Sequence, residues 1–548
     1  MKKIFICILL LNSIQSLVAE KGLIKEKIGD LYTVKKADRD AVDFENALKV
    51  DMDYYVISKR SELQYVSVMF SWLTYTKPSD FVLYKIDKSM NVVAVVNLPS
   101  EIQGKSVQSF SLKKFGDKIC ALFYFNNQKS RRQYLFAQQF NKTTLKKEGD
   151  IYKIGEATIN NREKRIACLF RVDVNTDESK MLITADRAYL PLTKKQKKTA
   201  KTEKVHTFAY WLLDTGFNLI KGNRYTKLGK GHTIVVGQTF DKEGNICFLG
   251  LESDKAVKPR KNSRYNTSTE GTDRSRSRLI MKIIRPDDTD VEISFAKGQY
   301  FYSAMMKLNP TTGNIAVVGL MVSGKYGANG IFSQQVNLKT GEVLVESISK
   351  FGTDFAKQIN NQKAGVKSDS KKKKPKKEKK GPANADYVWR LVRLGACFYN
   401  EDNELVVVAQ KLHTYTITNR TGRGSSATYT TTTYYVYGDV IAFKLDEKGK
   451  VDEFGFMPHY HESTTDSWRD YAALYTGKKL CIVNGVNGCE IKFENKSYTP
   501  DILYQPEGFG KDNIYISTIN ISDNAVIQIL RQNLKLNFVS LYVKEEEK

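Results

Sequence analysis

Apolar and polar positions alternate along most of this chain in short runs, the period-2 pattern of half-buried strands. The runs come in pairs, and many pairs turn at Asp or Asn. The segment "DFVLYKIDKSMNVVAVVNL" turns at Asp87, "YLFAQQFNKTTL" at Asn141, "FAYWLLDTGFNLI" at Asp214 and "RLIMKIIRPDDTDVEISF" at Asp287. The same form returns at Asn337, Asp446 and Asn520. Asp and Asn suit these places because their side chains accept hydrogen bonds from the backbone just ahead. Before each such pair lies another of the form strand, polar turn, strongly apolar strand, as in "SFSLKKFGDKICALFYF", "TIVVGQTFDKEGNICFLGLE" and "YSAMMKLNPTTGNIAVVGLM". The earliest is "DYYVISKRSELQYVSVMF" and the last "YAALYTGKKLCIVNGV".

The unit is therefore four antiparallel strands with short turns after the first and third. Copies begin near residues 52, 107, 164, 232, 300, 388 and 468. No helical periodicity of any length stands out. Such a repeat predicts an all-β fold, a single β-propeller of four-stranded blades over 20–548. Seven blades fit the copies found, with six or eight as alternatives. "GDLYTVKK" and "LKLNFVSLYV" are left over near the two ends. One of them is expected to complete a blade with strands from the other terminus and so close the ring. Segments such as "GDVIAFKLDEKGKV" and "NPTTGNIAVVGLM" resemble exported β-propeller-like (WD40/YVTN-type) proteins of Gram-negative bacteria without assigned activity. The resemblance implies a fold and an exported location, and carries no catalytic residue across.

Insertions locate the face where function would sit. From the second strand to the turn Asp or Asn the chain takes 22 residues at Ile119–Asn141 and at Ile315–Asn337. It takes 33 from Met181 to Asp214, 41 from Ile246 to Asp287, 41 from Leu405 to Asp446 and 39 from Cys481 to Asn520. The extra length falls between second and third strands, on the face where fourth strands also connect to the next blade. Residues 405–445 read as a protruding β-hairpin, because "LVVVAQKLHTYTITN" and "TYTTTTYYVYGDVIAFKL" both overrun an ordinary strand. Tyr415, Tyr429, Tyr434, Tyr435 and Tyr437 would then form an exposed, partner-binding surface.

Charge adds to this picture. Of the formal net charge of +26, segments 194–204, 255–278 and 363–380 carry +5, +6 and +8. The basic insertions 190–205, 255–278 and 361–386 are expected to be disordered, since lysine runs cannot bury enough apolar surface to order themselves. Lys371, Lys372, Lys373 and Lys374 would contact an acidic partner as point charges. No base-stacking aromatics interleave the runs, so nucleic acid is not expected. The leader "MKKIFICILLLNSIQSLVAEKG" has the layout of a signal peptide over 1–19, with cleavage near Ala19. Export would leave the protein in the periplasm or associated with the outer membrane or outside it, with no membrane-spanning segment after cleavage.

Chemistry is thin. No Gly-x-Ser-x-Gly elbow, phosphate loop or His-Glu-x-x-His is present. Five histidines are a small supply. In "MPHYHESTTDSWRD", His459, His461 and Glu462 could hold a metal ion if the stretch is extended, with Asp466 as another carboxylate; otherwise no cofactor is expected. Cys120, Cys168, Cys247, Cys397 and Cys481 read as buried free thiols, and Cys481 with Cys489 as a possible local disulfide. Three functions remain open: an interaction scaffold binding a protein or envelope partner, an enzyme or carbohydrate-binding protein with a site at the central channel, and an adhesin for anionic lipid or glycan. Catalysis is the less supported class.

Overall fold

The computed structural model describes residues 24–28, 32–33, 42–68, 71–158, 169–185, 207–253, 277–296, 298–309, 311–323, 327–360, 387–400, 402–421, 428–463, 471–484, 487–493, 497–502, 515–520, 525–532 and 535–543. Among them the strands form eight antiparallel sheets of four or five strands and one two-stranded ribbon. The first sheet holds Val42–Val50, Asp53–Val68, Ser71–Ile86 and Val92–Leu98. The sixth holds Leu391–Tyr399, Leu405–Thr421, Thr428–Leu445 and Val451–Met457, with His461–Ser463 added on its third strand.

Each sheet buries one apolar face against the next. Ile57 and Leu83 of the first sheet pack with Ile119 and Phe123 of the second. Val407, Ile441 and Phe443 of the sixth pack with Val318 and Ile331 of the fifth. The other face of the sixth, with Val408 and Val440, meets Ile482 and Ile491 of the seventh. Ile527, Ile529 and Phe538 of the eighth sheet pack on Val56, Tyr84 and Ile86 of the first. The sheets thus form a closed ring with first strands innermost, and the fold is a β-propeller. The ring closes through the two ends: Lys535–Val543, from the leftover "LKLNFVSLYV", pairs antiparallel with Ile24–Ile28, upstream of "GDLYTVKK", Ile24 opposite Val543, and Tyr32–Thr33 of "GDLYTVKK" pairs with it too. The Tyr54 and Ser540 hydroxyls meet at 3.2 Å across the seam.

The turn residues act as their chemistry predicts. Asp87 Oδ1 accepts the backbone N–H groups of Ser89 and Asn91 at 2.8 and 2.9 Å. Asn141 does the same for Thr143 and Thr144, Asp214 for Gly216 and Asn218, and Asn337 for Lys339 and Thr340. Asp287 and Asp446 hold one N–H each, from Thr289 and Lys450.

Two parts of the repeat differ from the pattern read in the sequence. The stretch taken as the opening pair, "DYYVISKRSELQYVSV", is one continuous strand, Asp53–Val68. The polar "SKRSE" inside it is no turn, and the true first strand, Val42–Val50, lies upstream. The 39 residues from Cys481 to Asn520 are not an insertion. They contain Asn487–Lys492 and Ser497–Ile502, which finish the seventh sheet, and Tyr515–Asn520, which belongs to the eighth. Two sheets had been merged into one copy. A short helix, Thr353–Asn360, also interrupts the all-β pattern, and its Phe355 rests on Phe351, Phe443 and Phe454 between the fifth and sixth sheets.

Cys120, Cys247, Cys397, Cys481 and Cys489 are buried and free. Cys481 lies opposite Glu490, and Cys489 opposite Ile482. Successive strand residues point to opposite faces, so the two sulfurs lie on opposite faces of the sheet and cannot bond. Cys168 lies outside the described residues.

Closure predicts a stability cost. Phe538 is fully buried at the seam, 6.0 Å from the Tyr84 ring. Phe538→Ala should destabilise the fold by about 3–5 kcal/mol, read as a lower denaturant midpoint. An unchanged midpoint would show that the seam does not hold the ring.

Candidate functional site

Strand sense divides the disc. The turns at Asp87, Asn141, Asp214, Asp287, Asn337 and Asp446 leave one face; second-to-third and fourth-to-first connections, among them the short turn capped by Asn127, leave the other. The described residues flanking the basic insertions, Ala185 and Thr207, Ser253 and Arg278, Asn360 and Tyr387, are all at that second face. The insertions themselves, Lys371 to Lys374 included, lie outside the described residues, apart from Ser277 and Arg278. Arg278 opens a strand and pairs with Glu252 at 3.4 Å. Two long ribbons leave the same face: Asp53–Val68 with Ser71–Ile86, paired out to Val68 and Ser71, and Leu405–Thr421 with Thr428–Leu445, paired out to Thr421 and Thr428.

The second ribbon leaves its sheet at a bulge. Gln410 faces Val440 and Leu412 faces Tyr437, so Lys411 alone opposes Gly438 and Asp439. A bulge re-aims a side chain. Lys411 Nζ lies 2.8 Å from Asp439 Oδ2 and donates to the Ile359 carbonyl at 2.9 Å. That carbonyl is in the last turn of the helix Thr353–Asn360, where a cation is favoured. Asp439 Oδ1 in turn accepts the His459 backbone N–H at 3.2 Å. One nearly buried ion pair thus fastens the ribbon to the helix and to the segment after the fourth strand. Glycine fits at 438 because a Cβ there would stand 3.1 Å from the Lys411 Cβ. The first sheet breaks register at the same place, between Lys59/Phe81 and Ser61/Pro78.

Above the bulge, alternation sorts the side chains. His413, Tyr415 and Ile417 share a face with Val436 and Tyr434; Thr414, Thr416 and Thr418 share the other with Tyr435 and Tyr437. Tyr415 stacks on Tyr434, ring centres 5.0 Å apart and planes 10° apart. The Tyr415 hydroxyl donates to Glu462 Oε1 at 2.7 Å, and the Tyr460 hydroxyl to Oε2 at 2.9 Å. Partial desolvation and then the Glu462 carboxylate push the Tyr415 phenol up. The Arg390 guanidinium lies 3.0 Å from His413 Nδ1. Burial first, and then Arg390, lower the His413 pKa to about 4, against the opposing pull of Glu462.

The expected tyrosine surface is therefore split. Tyr415 is exposed and Tyr434 half-buried on one face. Tyr435 is half-buried on the other, and Tyr437 is fully buried, which removes it from any exposed set. Tyr429 pairs with Arg420 through the backbone, and its side chain lies outside the described residues. The three candidate metal ligands do not converge. His459 Nε2 is 3.4 Å from the Asn484 amide, His461 lies beside the Tyr437 ring, and both Glu462 oxygens take phenol protons. Among the described residues no three His, Cys, Asp or Glu side chains are placed to hold a metal ion; Asp466 lies outside them. Lys411, Asp439, Arg390, His413 and Tyr460 went unnoticed in the sequence, because a bulge has no composition of its own.

The innermost strands offer little for acid–base chemistry. Among the side chains described on them, Asp173 is the only carboxylate. Their polar groups join neighbouring sheets: Arg171 donates to the Val236 carbonyl at 3.1 Å, Asn46 Oδ1 accepts the Leu112 N–H at 3.3 Å, and Ser303 Oγ accepts the Leu394 N–H at 3.3 Å.

No family model matches the chain, and no curated protein matches it. Among solved structures it is similar to the polysaccharide lyase Uly1, at 9% identity and a TM-score of 0.37, over 79% of this chain and 89% of that one. It is similar to the β-propeller domain of the Trilobed protease from Pyrococcus furiosus at 10% identity and 0.32, over 78% and 96%. A DUF4221 family member from Bacteroides vulgatus matches at 9% and 0.31, over 95% and 99%. These likenesses are remote, and nothing about activity follows from them.

Two predictions follow from the ribbon base. Lys411→Met or Asp439→Leu alone leaves one nearly buried charge without its partner and should cost about 3–5 kcal/mol, while the double variant should recover most of it; denaturant unfolding of all three checks this. His413 makes stability depend on pH. Its folded-state pKa of about 4 lies below the ordinary 6.5, so between those values the unfolded chain binds the proton and the folded one does not. Stability should fall as pH drops from about 6.5 towards 4, and His413→Gln should flatten that part of the profile.

Proposed function

We propose that this propeller is an exported interaction scaffold of the bacterial envelope that holds a protein or acidic envelope partner on its loop-rich face. The observation that carries the reading is the division of the disc: short Asp- and Asn-capped turns on one face, and both long ribbons with the flanks of all three basic insertions on the other. Binding residues concentrate on long segments held by a rigid scaffold. Tyr415, Tyr434 and Tyr460 around Glu462 offer amphipathic contact area at the ribbon base. Lys371 to Lys374 and the lysines of 194–204 would supply long-range attraction to an acidic partner. A site at the central channel is the weaker alternative, since the innermost strands bring only Asp173 among their described side chains. An adhesin for anionic lipid or glycan would use the same face.

A photo-crosslinking residue placed at Tyr415 or Tyr434, and as control at Lys448 in a turn of the other face, tests this in cells. Discrete adducts are expected from 415 and 434 and none from 448. Adducts from 448 alone would overturn the assignment of the binding face.

A further inference from the structure

We infer that the ribbon formed by Leu405–Thr421 and Thr428–Leu445 is a self-association element: the free edge of Leu405–Thr421 beyond the bulge pairs antiparallel with the same edge of a second copy, about a two-fold axis at Thr416. The inference rests on the loop-rich face being the interaction face, and names the chain itself as a partner there.

The edge is open. The innermost strand of this sheet ends its pairing at Leu391 opposite Lys411. One more backbone bond follows, Leu412 N–H to the Arg390 carbonyl at 2.9 Å. From His413 to Thr421 the only strand partner among the described residues is the other half of the ribbon. The Leu412 bond fixes which groups point outward. The register is unbroken from Leu412 to Thr421, so by alternation Thr414, Thr416 and Thr418 also turn their N–H and C=O groups to the open edge. Both faces are in solvent there: Thr414 to Thr418 are all exposed, Tyr415 at 37% and Ile417 at 40%.

The edge is self-complementary. Residues 414–418 read Thr-Tyr-Thr-Ile-Thr, a pattern symmetric in kind about Thr416. Antiparallel pairing centred there sets Thr416 against Thr416 and Thr414 against Thr418, with all three presenting donors and acceptors. Tyr415 falls opposite Ile417 of the second copy. Thr–Thr and aromatic–β-branched pairs are among the stabilising cross-strand combinations.

The edge is also ungated. Natural sheets protect their edges with charge or proline. Of the eight outermost strands here, seven contain one or the other, from "KEGDIYKIGEAT" and "LIKGNRYTK" to "SYTPDI" and "IKEKI"; the exception is Val92–Leu98. By contrast 412–419, "LHTYTITN", and 428–438, "TYTTTTYYVYG", contain no Asp, Glu, Lys, Arg or Pro. A chain of net charge +26 that leaves 412–419 and 428–438 without charge, Arg420 being the next charge along the strand, permits contact of this edge with another copy. Pairing at Thr416 would hold the two discs face to face, their ribbon bases roughly 33 Å apart at ~3.3 Å per residue.

Sedimentation velocity of the full chain over a concentration series, at low and at high NaCl, tests this. A dimer is expected that tightens at least about tenfold at high salt, where repulsion between two cationic faces is screened. Thr416→Lys sets like charges directly opposite and should weaken it at least about tenfold. Thr416→Glu should do the same, and an equimolar mixture of the two variants should restore it, which a misfolded ribbon could not do. Val95→Lys, on the other ungated edge, should leave it unchanged. A monomer at every concentration, a dimer that weakens with salt, one indifferent to Thr416→Lys, or one lost in Val95→Lys would overturn the inference. A dimer behaving as expected, with no adducts from Tyr415 or Tyr434 to any other protein, would instead sink the scaffold reading and keep this one.

Discussion

A four-stranded sheet with two apolar faces and two open edges is unstable by itself, and this chain meets that constraint by closing a ring. Each sheet covers the next one's face, and the final pairing of Ile24–Ile28 with Lys535–Val543 turns a row into a circle. Every other packing contact depends on it. Among the described residues, Val56, Tyr84 and Ile86 of the first sheet pack on Ile527, Ile529 and Phe538 of the eighth, with Ile519 beside them. The strand that completes the last sheet, "IKEKI", is also the outer strand most charged for its length, so the element that closes the ring protects the edge it creates.

Closure leaves the two faces of the disc under different rules. On one, Asp and Asn side chains satisfy the turn N–H groups within a few residues, and little chain is left to do anything else. On the other, apart from the short turn capped by Asn127, most connections are longer, and length there comes at small entropic cost. The ribbon of the sixth sheet shows how such length is kept in order. Its inner half is core, with Val407 and Phe443 fully buried. Just beyond Lys411 and Asp439, Val436 and Tyr437 are still buried, whereas the side chains from Thr414 to Thr418 are all exposed.

Much of the scaffold was legible in the sequence because its determinants are local. Period-2 alternation and an Asp or Asn at the turn are properties of adjacent residues, and Lys535–Val543 was visible as a leftover strand, whereas its main partner Ile24–Ile28, charged at three of five positions, was not. The misreadings have a common cause, which is that polar residues inside a strand look like a turn. "SKRSE" belongs to an overlong strand that crosses a register break at Lys59/Ser61 and stays paired beyond it, so its polar residues mark a bulge and not a turn. The opposite error merged the last two sheets, because "SYTPDI" carries proline and few apolar residues and does not read as a strand. The site was legible as a region but not as a set of residues. Five tyrosines in one hairpin were visible; that alternation sends Tyr415 and Tyr434 to one face and Tyr437 into the core depends on a one-residue bulge, which is fixed by tertiary contacts of Lys411.

The loop-rich face combines two signals of different range. On the proposed reading, the basic insertions attract or repel over roughly a Debye length, about 8 Å at physiological salt. The uncharged stretches of the ribbon, 412–419 and 428–438, act only at contact. The ribbon extends about 30 Å beyond Lys411 at ~3.3 Å per residue. Charge would then select what approaches the face, and backbone hydrogen bonding what stays. An extended edge asks only for another strand of compatible side chains, so specificity has to come from register. Here the register is set by the bulge at Lys411, because the Leu412 to Arg390 bond determines which threonines present their backbone to a partner. The buried ion pair at the ribbon base therefore does more than fasten it: through one-residue parity, it decides which half of the ribbon's hydrogen-bonding groups is available at the open edge.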